Sequence, residues 1–499
     1  MNEKERVVKW NKSHALKSVL LFLVNFLLYI GIAAILLLWD KFPYLGEHMS
    51  EKGAQYIYAV FCSFLLMLIT YCYFYFEDRE RLTDGKSIAL IFTILDLHLI
   101  ISCLIGYQIG IYARPVALVA LLVFILMGRR NAIFLNIICA LLIFVVDTFL
   151  VPVDNQECYS SLIISFTAGM LAIFFADRSK TRFKTVFIGF WIVLPMDLII
   201  FLLELSRGLQ QSTLQELNFQ PIFTQMGYGL FGGVMSTVLF LAILPMFEGI
   251  FNCLTVYRLQ ELTSSDAHIL KKLKEEAPGT YNHSVMVSQL AEACAEAIGE
   301  NPDFARAAAL YHDVGKLHYP EHFTENQGDY NLHDELAPEL SADIIRSHAK
   351  DGYTLIRSNH LPDFLADVAV EHHGTMPIRY FYAKALKMTD AELNIEDFSY
   401  MGPKPQSKLA AIIMICDASE AAVRAAGART PEAAEKVIRG VIEERMDLEQ
   451  FAECDITMAD LTKIRHALVG TLTGVYHHRI QYPGLKYRHT ENGTKGENE

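Results

Sequence analysis

The chain lacks any Cys-x-x-Cys pair, and its nine cysteines are scattered over 499 residues. Cys62, Cys72, Cys103 and Cys139 fall in apolar runs. Cys294, Cys416 and Cys454 fall in the more polar second half, and Cys158 is expected in a loop on the outer side of a membrane. A disulfide framework and a zinc ribbon are both excluded as organising devices. There is no surplus of basic charge: 43 Lys and Arg stand against 56 Asp and Glu, a net of -13. That argues against coating a nucleic acid, but not against a small anionic substrate, because a bound metal can invert the local field. No alternating pattern of the kind a half-buried strand needs recurs at any length, and no internal repeat is found, so an all-helical chain is expected.

What the chain has in abundance is apolar sequence, 52% overall and concentrated in the first 250 or so positions. A bilayer core takes about 20 apolar residues per helix. About eight spans are expected: 15–39, 54–76, 87–107, 109–128, 132–151, 159–176, 183–205 and 226–252. The first is too long for a signal peptide and has no clean small-residue cleavage site, so it reads as an anchor. Thirteen basic residues lie in the loops of one side: Lys4, Arg6, Lys9, Lys12, Arg79, Arg81, Lys86, Arg129, Arg130, Arg178, Lys180, Arg182 and Lys184. Four lie on the other: Lys41, Lys52, Arg114 and Arg207. This bias puts the N-terminus in the cytoplasm, and an even number of crossings puts the second half there too. Asp96, His98, Asp147 and Asp197 fall inside spans, with no Lys or Arg expected beside them. Such residues mark either a site facing the bundle interior or interhelical hydrogen bonding. Gly229 and Gly233 form a GxxxG pattern suited to close helix packing.

From Tyr257 the pattern turns amphipathic. A helical linker is expected over 254–280, then a helical domain over 281–485 and a disordered tail over 486–499. The histidines and aspartates of this half sit at the ends of alanine-rich helical runs. They are His283 in "YNHS", His312 and Asp313 in "YHDVGK", His348 in "RSHAKDG", His372 and His373 in "EHHGTM", and Asp417 in "MICDASE". Five imidazoles and two carboxylates suffice for two six-coordinate metals if one aspartate bridges and water completes the shells. Mixed nitrogen and oxygen ligands suit iron, manganese or a similar divalent ion better than structural zinc. Taken singly, each of these histidines reads as well as a satisfied polar residue. The ordered series within about 135 residues carries the weight.

That series resembles the HD-domain metal-dependent phosphohydrolases. The words "EEAPGTYNHSVMV", "YHDVGKLHYPEHFTENQ", "IIRSHAKDGYTL", "VAVEHHGTM", "GPKPQSKLAAI" and "CDASEAAVRA" are similar to those of the bacterial multi-transmembrane HD phosphodiesterases, the PgpH type. The resemblance implies hydrolysis of cyclic di-AMP to the linear dinucleotide pApA. It implies that His283, His312, Asp313 and Asp417 hold one metal, that Asp313 bridges, and that His348, His372 and His373 complete a second. Two metals ~3.5–4 Å apart can share a hydroxide and lower its pKa enough for attack at neutral pH. Lys316 would reach a phosphate oxygen, or is a solvated lysine. Lys404, in a proline-flanked loop, and Arg424, two helical turns after Asp417, are further candidates for phosphate. Tyr380, Phe381 and Tyr382 would stack on adenine or belong to a core.

Two departures are visible. Fuller members of the family carry a large extracellular domain after the first span, where this chain has only "DKFPYLGEHMSEKG". "YNHS" stands where relatives often have "YHHS". A bacterial cytoplasmic-membrane enzyme with both termini in the cytoplasm is expected, with a homodimer among the open expectations and no nucleic-acid polymer as partner. The alternatives are a cyclic di-GMP or other nucleotide phosphohydrolase, against which the missing GYP element counts, and a catalytically silent nucleotide-binding receptor, against which the complete ligand series counts. A transporter is a further class with little in its favour.

Overall fold

The computed structural model describes residues 12–150, 155–178, 181–211, 213, 216–251, 253–328, 330–389, 392–428 and 430–475. The expected tail at 486–499, and Lys4, Arg6, Lys9 and Lys180, lie outside the described residues. The chain forms two compact units, Met1–Leu262 and Thr263–Glu499. Both are helical. Among the described residues the only β pairing is a single bridge between Pro377 and Ser399.

Six stretches of the first unit are long and apolar enough to cross a membrane, and the first of them, Ser13–Glu77, is folded in two. Helices α1 (Lys12–Leu38) and α2 (Leu45–Glu77) are joined by the 3-10 turn Trp39–Tyr44. They pack as an antiparallel hairpin through Ser18 and Tyr71, whose hydroxyls are 3.0 Å apart, and through the rings of Phe26 and Phe64. The loop expected before residue 54 is therefore shorter, because α2 already begins at Leu45. The remaining long helices are α3 (Gly85–Gln108), α5 (Arg129–Leu150), α6 (Asn155–Ala176), α7 (Arg182–Gln211) and α8 (Phe219–Ile250). Cys158, expected in a loop, lies in α6 and is buried.

Polar contacts sort the helix ends into two groups. At one end Arg130 meets Glu77, Asn131 Nδ2 donates to Asp78 at 2.9 Å, Arg129 meets Asp177 at 3.4 Å and Arg182 meets Glu248 at 3.3 Å. At the other end the Tyr112 hydroxyl donates to Glu204 at 2.6 Å and Arg207 meets Glu157 at 2.7 Å. Successive long helices thus run in opposite directions. The GxxxG face packs as expected: a Cβ on Gly233 would lie 2.5 Å from Val193 of α7.

The fourth expected span, 109–128, is not one helix. Its helical part is α4 (Ala117–Met127), 11 residues or about 16 Å, too short for a core of about 30 Å. Residues 111–116 complete the passage as a 3-10 turn and an extended stretch. Irregular backbone at this depth is tolerated only inside protein, and Ala117 through Val123 are all at most 1% exposed. Arg114, expected in an outer loop, is 1% exposed. Its guanidinium donates to both oxygens of Asp147 at 2.6 and 2.8 Å, to Ser161 Oγ at 3.1 Å and to the Ser102 carbonyl at 3.0 Å. The expectation that no basic residue lies beside the intramembrane acids is therefore wrong for Asp147. The reason is physical: an arginine can enter an apolar bundle when every donor finds an oxygen. The short helix α9 (Val256–Leu262) ends this unit. It is held by Tyr257, whose hydroxyl lies 2.6 Å from Thr185 Oγ1.

The second unit comprises α10 (His268–Glu276), α11 (Pro278–Ile298), α12 (Pro302–Tyr311), α13 (Pro338–Ser358), α14 (Asp363–Glu371), α15 (Arg379–Leu386), α16 (Lys408–Ala426), α17 (Pro431–Asp447) and α18 (Met458–Val475). Helix starts follow local chemistry. Asn301 caps α12 by accepting from Asp303 and Phe304 amides, and Ser407 caps α16 by accepting from Ala410. Alanine allows close approach in the core, where Ala305, Ala307, Ala308 and Ala309 are fully buried. Phe381 belongs to a small core cluster with Ala342, Ala385 and Phe398, whereas Tyr380 is 64% exposed.

Candidate metal centre

The first turns of α11, the C-terminal ends of α12 and α14 and the middles of α13 and α16 converge on Asp313, so His348 and Asp417, expected at helix ends, lie mid-helix. Helix α12 stops at Tyr311, and Asp313 sits at φ -106°, ψ 11°, outside the helical region. The chain then turns tightly over Val314–His318. Gly315 is required there, since a Cβ would lie 1.9 Å from the His348 carbonyl oxygen. That approach brings the turn bearing Asp313 against the helix bearing His348.

The two carboxylate oxygens of Asp313 face different imidazoles. Oδ2 lies 3.3 Å from His312 Nε2 and 3.8 Å from His283 Nε2. Oδ1 lies 3.3 Å from His348 Nε2 and 3.7 Å from His372 Nε2. Asp417 lies on the His283 side, its Oδ1 2.9 Å from His283 Nε2, and its Oδ2 is 3.9 Å from His373 Nδ1. Asp313, His348, His372 and His373 form one group whose donor atoms could share an ion. His283, His312 and Asp313 form a second, and His312, His372 and Asp417 a third. All seven residues expected as ligands are thus brought together.

The rings are aimed from behind. His312 Nδ1 donates to the Ala309 carbonyl at 2.6 Å, His348 Nδ1 to Ile345 at 2.5 Å and His372 Nδ1 to Ala369 at 2.9 Å. Each bond places the proton on Nδ1 and leaves Nε2 to face inward, the arrangement metal-ligating histidines use. His283 Nδ1 instead bonds Glu420 Oε2 at 2.9 Å. His373 stacks on Tyr400, with ring centroids 4.2 Å apart.

The electrostatics divide the cluster. Burial opposes charge on His283, but hydrogen bonds to Asp417 and Glu420 outweigh it and hold the pKa up at about 9. Burial opposes His312 likewise, and Asp313 and Asp417 lift it to about 10. Burial pushes His348 down to about 4 despite Asp313, and burial with the neighbouring imidazoles holds His373 well below its ordinary value. Burial raises the Asp313 carboxyl, yet His312 and Lys316 drive it well below the carboxylate range. Protons on His283 and His312 thus do the neutralising that a cation would do. His312 Nε2 and Asp313 Oδ1 are buried without a hydrogen-bond partner. Orphaned inward donors of this kind, in a mixed nitrogen and oxygen set, fit a divalent ion.

The three basic candidates fare differently. Lys316 Nζ is held 2.8 Å from Asp313 Oδ2 and 2.8 Å from Glu325 Oε1. Arg424 is about half exposed and reaches Glu420 Oε1 at 3.4 Å. It lines, with Asn282, His283, Met286 and Glu325, a cleft of about 570 Å³. Lys404 is half-buried in its proline-flanked loop, and no contact among the described residues joins its ammonium to the cluster. Sequence reasoning missed Glu420, Glu325 and Tyr400. Glu420 lies three residues after Asp417 on α16 and so on the same face, a spacing that could have revealed it.

Helices that cross a membrane, followed by a helical unit carrying an H…HD…H…HH…D cluster, define a membrane-embedded HD-domain protein. Comparison agrees in both halves: the HD domain family matches residues 280–422, and the family described as 7TM receptor with intracellular HD hydrolase matches residues 54–255. The chain is thus similar in both halves to multi-transmembrane HD-domain proteins, and it is a multi-pass membrane protein. It is 37% identical to the cyclic-di-AMP phosphodiesterase PgpH of Listeria monocytogenes over 88% of its own length and 60% of that protein's. It is 38% identical to the Bacillus subtilis protein of the same name, over 84% of its length and 59% of that protein's. The chain therefore spans about three-fifths of these curated relatives. Crystal structures of the Listeria monocytogenes PgpH HD domain, alone and in complex with cyclic-di-AMP, are 46% and 49% identical. They cover 42% and 43% of this chain and 100% and 99% of those chains, each at a TM-score of 0.41.

Proposed function

We propose that this chain is a membrane-anchored phosphodiesterase that hydrolyses cyclic di-AMP to pApA, using two divalent ions, manganese or iron. The observation that carries the reading is the division of Asp313, whose two oxygens face two separate sets of imidazoles. His283, His312, Asp313 and Asp417 would hold one ion. Asp313, His348, His372 and His373 would hold the other. When bound, such a pair supplies an activated water at neutral pH and charge that stabilises the phosphorane-like transition state.

The chain's own groups do the rest. Carbonyl bonds fix the imidazole rings, and Glu420 holds His283. Lys316, held between Asp313 and Glu325, keeps an ammonium at the centre, where it would meet a phosphate oxygen. Arg424 lines the cleft that continues from His283, where it would meet the second phosphate of a cyclic dinucleotide. Lys404 is retained as a third phosphate contact on the strength of its loop alone. The naming of two relatives as cyclic-di-AMP phosphodiesterases supports the choice of substrate. The excess of Lys and Arg on one set of loops supports a cytoplasmic membrane location with both termini inside the cell.

The test is hydrolysis of cyclic di-AMP by the full chain in detergent with manganese, with cyclic di-GMP in parallel and EDTA and Asp313→Ala as controls. Metal-dependent pApA that disappears in the variant is expected. Faster cleavage of cyclic di-GMP would overturn the substrate. Unchanged turnover in Asp313→Ala would overturn the site.

A further inference from the structure

The membrane bundle contains a cavity that the proposed chemistry leaves unused. It lies at the end opposite Arg129 and Arg182 and measures about 320 Å³, the size of a small-ligand pocket. Its walls come from the end of α3 and the broken segment (Gly106, Tyr107, Gly110, Tyr112), from α6 (Glu157) and from α8 (Tyr228).

The chemistry of the wall points to one class of ligand. Three tyrosine rings line it, and the negative face of such a ring attracts a cation. Tyr107 already has the Arg114 guanidinium 5.7 Å from its ring centroid. Glu157 lines the cavity, and Glu204 accepts from the Tyr112 hydroxyl at 2.6 Å. Against these two carboxylates stands Arg207, 2.7 Å from Glu157 and 4.0 Å from Glu204. Arg114, at the floor, is cancelled by Asp147. Among the described residues that line the cavity, Glu157 is the one charged side chain, and it shares its carboxylate with Arg207. The volume far exceeds that of a dehydrated inorganic ion.

We propose that this cavity is a binding site for a small organic cation, an amine or quaternary ammonium compound, held by Glu157 and the faces of Tyr107 and Tyr228. The site is built to relay occupancy. A Cβ on Gly106 would lie 2.2 Å from Arg114 Nε, so the cavity wall rests directly on that side chain. Arg114 in turn ties α3, α5 and α6 together through Ser102, Asp147 and Ser161.

The experiment is thermal unfolding of the full chain in lipid nanodiscs, titrated with choline chloride and with putrescine dihydrochloride. Sodium chloride at matched ionic strength and sodium glutamate serve as controls. A saturable rise in melting temperature with at least one of the two cations, absent with both sodium salts, is expected. Glu157→Gln weakens the half-saturation concentration by about tenfold or more, as loss of a charge-assisted contact requires. Tyr228→Leu weakens it without altering any charge, and it decides the matter if Glu157→Gln fails to fold. No shift beyond sodium chloride with either cation, an equal or larger shift with glutamate, or half-saturation unchanged in folded variants would overturn the proposal. The readout is independent of cyclic dinucleotide hydrolysis, so this proposal and the proposed enzymatic function stand or fall separately.

Discussion

Glu420→Gln is the perturbation that most sharply separates a built metal centre from a chance gathering of histidines. Glu420 is 3% exposed and bonds His283 Nδ1 at 2.9 Å while His283 Nε2 faces Asp417 and Asp313. The amide has nearly the same shape, so packing persists, but the carboxylate that fixes the ring and raises its basicity is lost. Removing such a partner typically lowers metal affinity or activity about 10–100-fold, equivalent to about 1.4–2.7 kcal/mol. Calorimetric titration of the metal-depleted full chain with manganese measures it. The ion held by His283 is expected to weaken by that factor, and the one shared by His348, His372 and His373 to change by much less. Arg424→Ala removes only the exposed partner of Glu420 and is expected to raise KM for the dinucleotide while leaving both metal affinities intact. Two manganese sites of unaltered affinity in Glu420→Gln would refute the reasoning.

Three further outcomes follow from the same geometry. His283 and His312, with pKa values of about 9 and 10, are protonated at pH 7 in the metal-free protein, so loading must displace about two protons and affinity rises as pH climbs from 7 towards 9; calorimetry in buffers of differing ionisation enthalpy reads the proton count, and a buffer-independent heat contradicts it. Arg114→Met leaves Asp147 unpaired in the bundle and is expected to cost about 3–5 kcal/mol, whereas Arg114→Met with Asp147→Leu recovers most of it; equal stability of single and double variants by thermal unfolding in detergent would deny the ion pair its role. Gly315→Ala forces the Asp313 turn away from the His348 carbonyl, with an expected loss of about 1–3 kcal/mol and of metal-dependent turnover; a folded, fully active variant would show that the close approach is dispensable.

The ligand series was legible because metal chemistry constrains residue type: His283, His312, Asp313, His348, His372, His373 and Asp417 stood out in order, and all seven meet. Helical class was legible from periodicity, and seven of the expected crossings from apolar length. Arg114 was not legible. A basic residue between apolar runs reads as a loop, and only tertiary contacts with Asp147, Ser161 and Ser102 allow it inside. The break in the fourth span was hidden for the same reason, since hydropathy does not register a 3-10 turn. Glu420 was hidden in a run of small residues, and Tyr400 because its partner His373 is distant in sequence. Phe381 turned out to be core, as aromatic runs usually are.

The most direct measurement of the central claim is pApA formation from cyclic di-AMP as a function of manganese bound to the metal-depleted full chain. Turnover is expected to be negligible without metal and to reach its plateau at about two ions per chain, the number proposed for the two-sided Asp313 site. Undiminished turnover without metal, or none of either cyclic dinucleotide with two ions bound, would contradict the account.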